Sequence, residues 1–587
     1  MRKSSNFNPT TSRLPWKRPF LLLLLICLVS FFLATAQAEE APYTLFFPVV
    51  AQKPEPPRPA TIPYYGINFI NSAEQQADAL QFQNGQATGA AWNRWPLYWF
   101  HVETSADNFD WTNQDATVRG DVNHGFRTNA ILLGTPGFYT TSLNQTNNSA
   151  RPDHLRNYEI EAINSATPQG LYTAVFTDGS DVPGPGKQIN PDNKWARFVF
   201  TAVSRYKPGG VLAQQQGWHN GEGITYWEIW NEPDLPWFWD GSLPDYARLL
   251  KVAYLSAKQA DANAQILFAG LANSAALPNY YEDVLAVYDG DSLATSYGYY
   301  HDIFATHSYF YAWQSWYHVW RAGRTMRNHG LDKPIWLNES GVAVWNDYPG
   351  PIWDSRSGAR ATLSEQADFI IQSAFYATFA GADAIFHFQL YDGCGNQPAG
   401  TNFPPHSGEL CDANGDWIGH PGLPCAGDAN GLYRNPTDAS CFAHHPQPET
   451  ARASLAAYQV LTTYVTNVSP YWRERPGEPK CIGPGNVQTP GQEWIAFYQP
   501  DTGKRIVGMW ALCADNETAV IAATSPTQTA LLVAADGSTQ TIAAQNGVYT
   551  IQLPGATNRN TFPDGTLTEF YPIGGRPFIL IETDLNP

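Results

Sequence analysis

The sequence predicts an α/β architecture: a (β/α)8 barrel followed by an antiparallel β-sandwich. Three observations predict it. Between residues 64 and 470, eight short apolar runs alternate with longer amphipathic stretches, the pattern of a parallel sheet, and eight such units close into a barrel. Two of the runs, I-T-Y-W-E-I-W-N-E-P-D at 224–234 and P-I-W-L-N-E-S-G-V at 334–342, each reach a glutamate, Glu232 and Glu339. The interval between them suits three strand-helix units of roughly 35 residues. Beyond Glu493 the chain breaks into short strands separated by turn signals such as Asp501-Thr502-Gly503 and Asp536-Gly537, as in a sandwich.

The eight expected barrel strands are Tyr65–Ile70, Ala87–Asn93, Thr128–Leu133, Ile224–Trp230, Gln265–Ala269, Ile303–His307, Pro334–Asn338 and Ala384–Leu390. Helical spacing is clearest in Pro244–Ala262, where Leu249, Leu250, Ala253 and Ala257 share a face, and it recurs in Ser364–Ala380 and Ala451–Val465. An open doubly wound sheet is the rival. It lacks support, because no glycine-rich nucleotide turn follows the first strand. The sandwich strands are expected at Trp494–Tyr498, Ile506–Leu512, Ala519–Ala523, Ala530–Ala534, Gly547–Gln552 and Pro577–Glu582. These place the barrel at 64–470 and the sandwich at 485–587, the latter packed on the barrel as an accessory domain, since no clear linker divides 467 from 493.

The chain has 587 residues, 43% of them apolar, enough for more than one core. Residues 1–38 read as a secretory signal peptide. Arg2, Lys3, Arg13, Lys17 and Arg18 precede the apolar stretch Phe20–Ala34, and Ala36-Gln37-Ala38 forms an A-x-A cleavage site. Retention as an uncleaved anchor is the alternative, although ~15 apolar residues fall short of the ~20 that span a bilayer. Residues 39–63 form an extended proline-rich linker, with an apolar patch at Tyr43–Val50.

The formal charge is −18, and the leader contributes only basic residues, so the remainder is more acidic still. No basic cluster follows it, which argues against nucleic acid or an anionic membrane surface as partners. An uncharged polymer is compatible with such a surface. Six cysteines follow Cys27: Cys394, Cys411, Cys425, Cys441, Cys481 and Cys513. An even count in a secreted chain favours disulfides, with the first four pairing among themselves and Cys481 with Cys513. No C-x-x-C spacing marks a zinc site. Asp412-Ala413-Asn414-Gly415 and Asp428-Ala429-Asn430-Gly431 lack the glycine and glutamate of a calcium loop and read as turns. The cysteine-rich segment 393–450 follows the eighth strand, where it would wall the mouth of the barrel.

Two carboxylates at strand ends suit paired acid and nucleophile chemistry. E-I-W-N-E-P at Glu228–Pro233 and P-I-W-L-N-E-S-G at Pro334–Gly341 resemble the signatures of retaining glycoside hydrolases of clan A, especially families 39 and 5. The resemblance implies a glycosidase acting on β-linked oligo- or polysaccharides, without cofactor or metal. It implies that Glu232 is the general acid/base, that Glu339 is the nucleophile, and that Asn231 bonds the sugar 2-hydroxyl. Arg94, expected just past the second strand, matches the arginine that holds the nucleophile ionised. His307 and Tyr309 match an H-x-Y pair in which the histidine lines the subsite and the tyrosine contacts the nucleophile. Trp237 and Trp239 follow Glu232 on a loop over the cleft and are expected to stack on sugar rings.

Glu228 shares its parity with Glu232 but sits deeper, so it reads as a structural carboxylate. Asn338 with Ser340 imitates a glycosylation sequon beside the nucleophile, where glycan attachment is not expected. The tryptophan that many clan members place on the eighth strand is missing. Here the chain reads I-F-H-F-Q-L-Y-D from Ile385 to Asp392, leaving Phe388, His387, Trp345 or Trp353 to fill that place. Two other functions stay open: a non-catalytic carbohydrate-binding barrel, for which neither glutamate is needed, and transglycosylation. The sugar, the linkage and endo or exo action are not encoded in these motifs.

Overall fold

The computed structural model describes residues 64–140, 165–344, 347, 360–392, 416–417, 420–424, 429–434, 436, 447–483, 487–559 and 571–582. The leader, the linker, the Tyr43–Val50 patch, Cys394, Cys411, Cys425, Cys441, Trp345, Trp353 and most of the 393–450 loop lie outside them.

Eight parallel strands form the core: β1 (Tyr65–Asn68), β2 (Trp92–Tyr98), β3 (Arg127–Leu133), β4 (Tyr226–Asn231), β5 (Gln265–Gly270), β6 (Phe304–Tyr309), β7 (Ile335–Gly341) and β8 (Ala384–His387). Pairing runs β5-β4-β3-β2-β1-β8-β7-β6. The remaining seam between β5 and β6 is closed by parallel bridges at Leu267–Ile303 and Leu271–Thr306. The longer helices among the described residues are α1 (Ala79–Ala87), α2 (Thr112–Asn123), α3 (Lys194–Tyr206), α4 (Leu243–Ala260), α5 (Tyr280–Asp289), α6 (Gln314–Asn328), α7 (Leu363–Ala380) and α8 (Ala453–Tyr464). Local sequence explains their ends. Capping boxes Ser242/Asp245 and Thr362/Glu365 start α4 and α7, each satisfying otherwise orphaned N–H groups. Gly381, at φ 101°, ends α7 in a left-handed turn.

Alternation places one side of each strand inside the barrel. Its lower layer is aromatic: Trp336 packs against Trp92 at 5.1 Å, Tyr226 at 5.3 Å and Phe386 at 5.6 Å between ring centroids. Above that dry layer the interior becomes polar, with Arg94 two residues beyond Trp92, Glu228 two beyond Tyr226 and Asn338 two beyond Trp336. Polar side chains therefore gather toward the carboxyl ends of the strands, where barrel sites lie.

Seven expected strands fall on observed ones with shifted ends, and the second needs correction. Residues 87–93 hold the end of α1, a turn through Gly89 at φ 78° and only the first two residues of β2. The strand runs on through Arg94 and Pro96 to Tyr98. A buried charge and a proline concealed it, because both usually mark a strand's limit. Arg94 consequently lies inside β2, not past it.

The C-terminal region contains a six-stranded antiparallel sheet and a two-stranded one, and apart from these a short antiparallel pair of Pro479–Ile482 with Gln488–Pro490. The larger is ordered β9 (Ser469–Glu474), β10 (Gln492–Gln499), β11 (Lys504–Ala511), β16 (Phe578–Glu582), β13 (Thr529–Ala534) and β14 (Thr539–Ala543); the smaller pairs β12 (Glu517–Ala522) with β15 (Val548–Leu553). All six expected strands occur. The larger sheet also takes in Ser469–Glu474, ahead of the expected boundary at 485; Pro470 and a register shift near it hid that strand. Cys481 and Cys513 are joined, with S–S 2.04 Å, as expected.

Sandwich and barrel meet along α7. Phe375 packs on Phe497 at 5.1 Å, and Tyr376 on Trp510 at 5.3 Å. The Tyr376 hydroxyl donates to Glu493 (2.8 Å), and the Gln372 amide both donates to Gly575 O (2.9 Å) and accepts from Gly574 N (2.9 Å). Every α7 residue from Glu365 to Thr378 is buried, although a helix on the outside of a barrel ordinarily keeps one wet face. Ending the chain before Ser469 is therefore expected to abolish soluble, cooperatively melting protein, because it exposes Phe375 and Tyr376. A truncated barrel with a sharp thermal transition would contradict this docking.

Candidate active site

β2, β4 and β7 each deliver charged groups to the axis. On β7 the register slips between Thr306–Leu337 and His307–Glu339, so Asn338 is an extra residue in the ladder. Such a bulge re-aims side chains, and here consecutive residues both reach the interior. Asn338 Nδ2 donates to Glu228 Oε2 (2.8 Å), and Glu339 Oε1 accepts from Arg94 Nη1 (2.6 Å). Trp230 on β4 at φ 74° and Glu232 just past its end at φ 44° adopt left-handed backbone. That conformation costs a non-glycine residue of order 1–3 kcal/mol and clusters at functional sites.

Arg94, 1% exposed, organises the floor. Its Nε and Nη2 donate to the two oxygens of Glu228 (2.7 and 2.9 Å), its Nη1 to Asn68 Oδ1 (2.8 Å) and Glu339 Oε1 (2.6 Å), and its Nη2 also to Asn231 Oδ1 (3.0 Å). Glu228 accepts in addition from Gly270 N (2.8 Å), so its structural reading fits. Asn338 is fully buried.

Six of the expected site residues converge: Arg94, Asn231, Glu232, His307, Tyr309 and Glu339. His307 Nδ1 lies 2.7 Å from Glu232 Oε1 and 3.5 Å from Glu339 Oε2. The Tyr309 hydroxyl donates to Glu339 Oε2. An oxygen from each of Glu232 and Glu339 and a nitrogen of His307 lie within 4.8 Å of one another. These three types are metal ligands by chemistry, but Arg94 already sits on Glu339 as its cation, and a divalent ion beside it would meet that charge.

Trp239 requires correction as a sugar platform. It is 3% exposed, packs edge-on against Trp230 at 5.0 Å and donates Nε1–H to Ser242 O (3.3 Å), so it is core. Trp237 is 37% exposed on the same loop, and Phe138 is 43% exposed on the neighbouring loop after β3. Of the stand-ins for the eighth-strand tryptophan, His387 is buried and bonded to Asn430 O (2.9 Å). Phe388, partly exposed and followed by a cis peptide, contacts Tyr309 at 5.8 Å and Phe69 at 5.9 Å, beside the hydroxyl that holds Glu339.

The two glutamates experience opposite environments. Burial pushes the Glu232 carboxyl up, as do the charges of Glu339 and Asp234, against the opposing hydrogen bond and charge of His307. Burial would raise Glu339 too, but the charges of His307 and Arg94, with hydrogen bonds from Tyr309 and Arg94, hold it below the usual carboxylate range. Burial opposes a charged His307, yet Glu339 and Glu232 together push its pKa up. Tyr309 is held protonated by burial and by Glu339.

Three contributors were not singled out in sequence: Asn68, Gly270 and Asp234. Asn68 was signalled by a polar residue ending a barrel strand, and Asp234 by its place in N-E-P-D. Gly270 had no sequence signal. A methyl group there would overlap the His307 imidazole.

No protein-family model and no curated protein matches the sequence. Solved structures do. The chain superposes on a family 39 glycoside hydrolase from Bacteroides cellulosilyticus WH2 with a TM-score of 0.51 at 14% identity, covering 88% of this chain and 80% of that one. A family 30 endoxylanase from Clostridium papyrosolvens C71 gives 0.48 at 9% identity, covering 91% and 98%. A family 39 β-xylosidase from Caulobacter crescentus gives 0.46 at 13% identity, covering 91% and 98%. The first establishes a shared (β/α)8 barrel with its sandwich; the other two, below 0.5, add nothing to that.

Gly270→Ala is expected to displace His307 and break its bond to Glu232, costing about 1–3 kcal/mol from overpacking. A crystal structure of the variant with His307 in place and unchanged thermal stability would refute this.

Proposed function

We propose that the chain is a retaining glycoside hydrolase acting on β-linked glycosides or polysaccharides. The observation that carries the proposal is the pair of glutamates with oxygens within 4.8 Å and opposite proton affinities. Retaining enzymes hold their carboxyl groups about 5–5.5 Å apart, whereas inverting ones need about 6.5–9.5 Å to admit a water. A binding-only barrel has no use for that asymmetry.

In this reading Glu339, kept ionised by Arg94 and Tyr309, attacks the anomeric carbon. Glu232 gives its proton to the departing oxygen as the glycosidic C–O bond breaks and the ester to Glu339 forms. Glu232, now a carboxylate, takes a proton from water, whose oxygen replaces Glu339 at the same carbon. The sugar leaves with its starting anomeric configuration. Asn231, its carbonyl oxygen held by Arg94, retains amide N–H groups for a sugar hydroxyl. Trp237 and Phe388 offer partly exposed rings for sugar faces. Arrival of a sugar hydroxyl in place of water would give transglycosylation from the same intermediate.

The proposal includes an extracytoplasmic location. The leader motif and the Cys481–Cys513 disulfide favour an oxidising compartment, and no described helix is long and apolar enough to cross a membrane. The acidic surface favours an uncharged carbohydrate over nucleic acid.

Glu339→Gln is expected to lower kcat by at least about 10³-fold with the fold intact, and a variant at wild-type rate would sink the nucleophile assignment. Glu232→Gln should slow substrates with poor leaving groups about 10²–10⁴-fold while sparing activated aryl glycosides; equal losses on both would contradict an acid role. Proton NMR of the first product should show the starting anomer.

The pH profile of kcat/KM should be bell-shaped. Its acid limb, where Glu339 gains a proton, belongs below the usual carboxylate range. Its alkaline limb, where Glu232 loses one, belongs above it. A profile with both limbs at ordinary carboxylate values would show that the two environments do not differ.

A further inference from the structure

Asp234 lies two residues past Glu232 and is 1% exposed. Its Oδ1 accepts from Ala272 N (3.1 Å) and its Oδ2 from Ser274 N (2.8 Å). These donors belong to the loop after β5, so the carboxylate clamps the turn carrying Glu232 to the adjacent βα loop. The same junction is held by Glu232 N donating to Gly270 O (2.9 Å), and the turn itself is closed by Leu235 N donating to Glu232 O (2.9 Å). Burial pushes the Asp234 carboxyl up, and the two backbone donors, one on each oxygen, oppose that by favouring its ionised form.

No lysine or arginine among the described residues forms an ion pair with Asp234. The titratable groups around it are Glu232 from β4, Tyr246 from α4, Tyr280 from α5 and His307 from β6, with Glu228, Glu339 and Arg94 beyond them. The interior thus holds four carboxylates, Glu228, Glu232, Asp234 and Glu339, against two cationic groups, Arg94 and His307. Uncompensated like charges in a buried site are relieved by binding a proton. Glu228 and Glu339 are bonded to Arg94 and Asp234 to two amides, whereas Glu232 has only the titratable His307 as its partner (2.7 Å), which makes it the carboxylate best able to take the proton.

We propose that Asp234 is a positioning residue for Glu232: it fixes the turn that presents the acid/base and, as a second buried negative charge beside it, keeps the proton on Glu232 between turnovers. The inference rests on the glycosidase reading for the meaning of that proton, but not for its existence.

The test uses the full chain labelled with ¹³C at the glutamate side-chain carboxyl, with the Glu232 resonance assigned from its loss in Glu232→Gln. In Asp234→Asn, which removes the charge and keeps one of the two acceptor oxygens, the Glu232 carboxyl should titrate about one pH unit lower, a tenfold loss of proton affinity. The alkaline limb of kcat/KM should move with it. Asp234→Glu, which keeps the charge and lengthens the clamp, should leave that midpoint near wild type while lowering kcat. Should Asp234→Asn fail to fold, Asp234→Ser, whose hydroxyl oxygen still accepts one N–H, is measured the same way. An unchanged Glu232 midpoint in the charge-free variant, or an equal shift in Asp234→Glu, overturns the proposal. A wild-type protein that hydrolyses no glycoside overturns the acid/base role whatever the titration reads, and the two failures are distinguishable because the titration needs no turnover.

Discussion

The arrangement depends on one buried guanidinium with all its hydrogens used. Arg94 has five N–H groups, and five acceptor contacts receive them: two on Glu228, and one each on Asn68, Asn231 and Glu339. Taking such a charge from water is costly unless its geometry is satisfied. Satisfying it ties β1, β2, β4 and β7 to one point. Glu228 completes the knot by accepting from Gly270 on β5 and Asn338 on β7. The ends of five strands are thereby set relative to one another before any substrate arrives, as an electrostatic site requires.

That knot also makes the two glutamates unlike. Glu339 touches it directly and inherits its positive charge. Glu232 lies one step outside, against His307, whose imidazole has room only because residue 270 is glycine. The difference between the two glutamates is thus a difference in distance from Arg94. The bulge at Asn338 supplies it, bringing Glu339 to the axis while Asn338 serves Glu228 below.

Much of this was legible in the sequence because its signals are local. Alternating strand and helix patterns gave the barrel, and glutamates ending apolar runs marked Glu232 and Glu339. Asn231, His307 and Tyr309 stand in recognisable motifs, Arg94 stands alone beside an expected strand end, and all four reach the site. What could not be read is set by tertiary pairing. β2 was misplaced because Arg94 and Pro96 are poor strand residues until Glu228 and Glu339 close around the charge. Trp239 has the same composition and loop as Trp237, and only packing against Trp230 separates a core ring from an exposed one. Gly270 owes its role to a side chain 37 positions away.

The sandwich belongs in the same account. Its segment at 571–575 reaches over α7, where Gln372 is bonded on both sides of its amide, and Pro572 O accepts from Ala312 N (3.1 Å). Ala312 is three residues past Tyr309, on the loop leaving β6. Phe310, at φ 70°, turns that loop and donates its N–H to Gly341 O (3.1 Å) at the end of β7. The hydroxyl on Glu339 is therefore supported from below by the barrel and from the side by the sandwich. Such support makes the second domain part of the scaffold that holds the site: loosening the contact at Pro572 would free the β6 loop, and with it the tyrosine that keeps Glu339 in place.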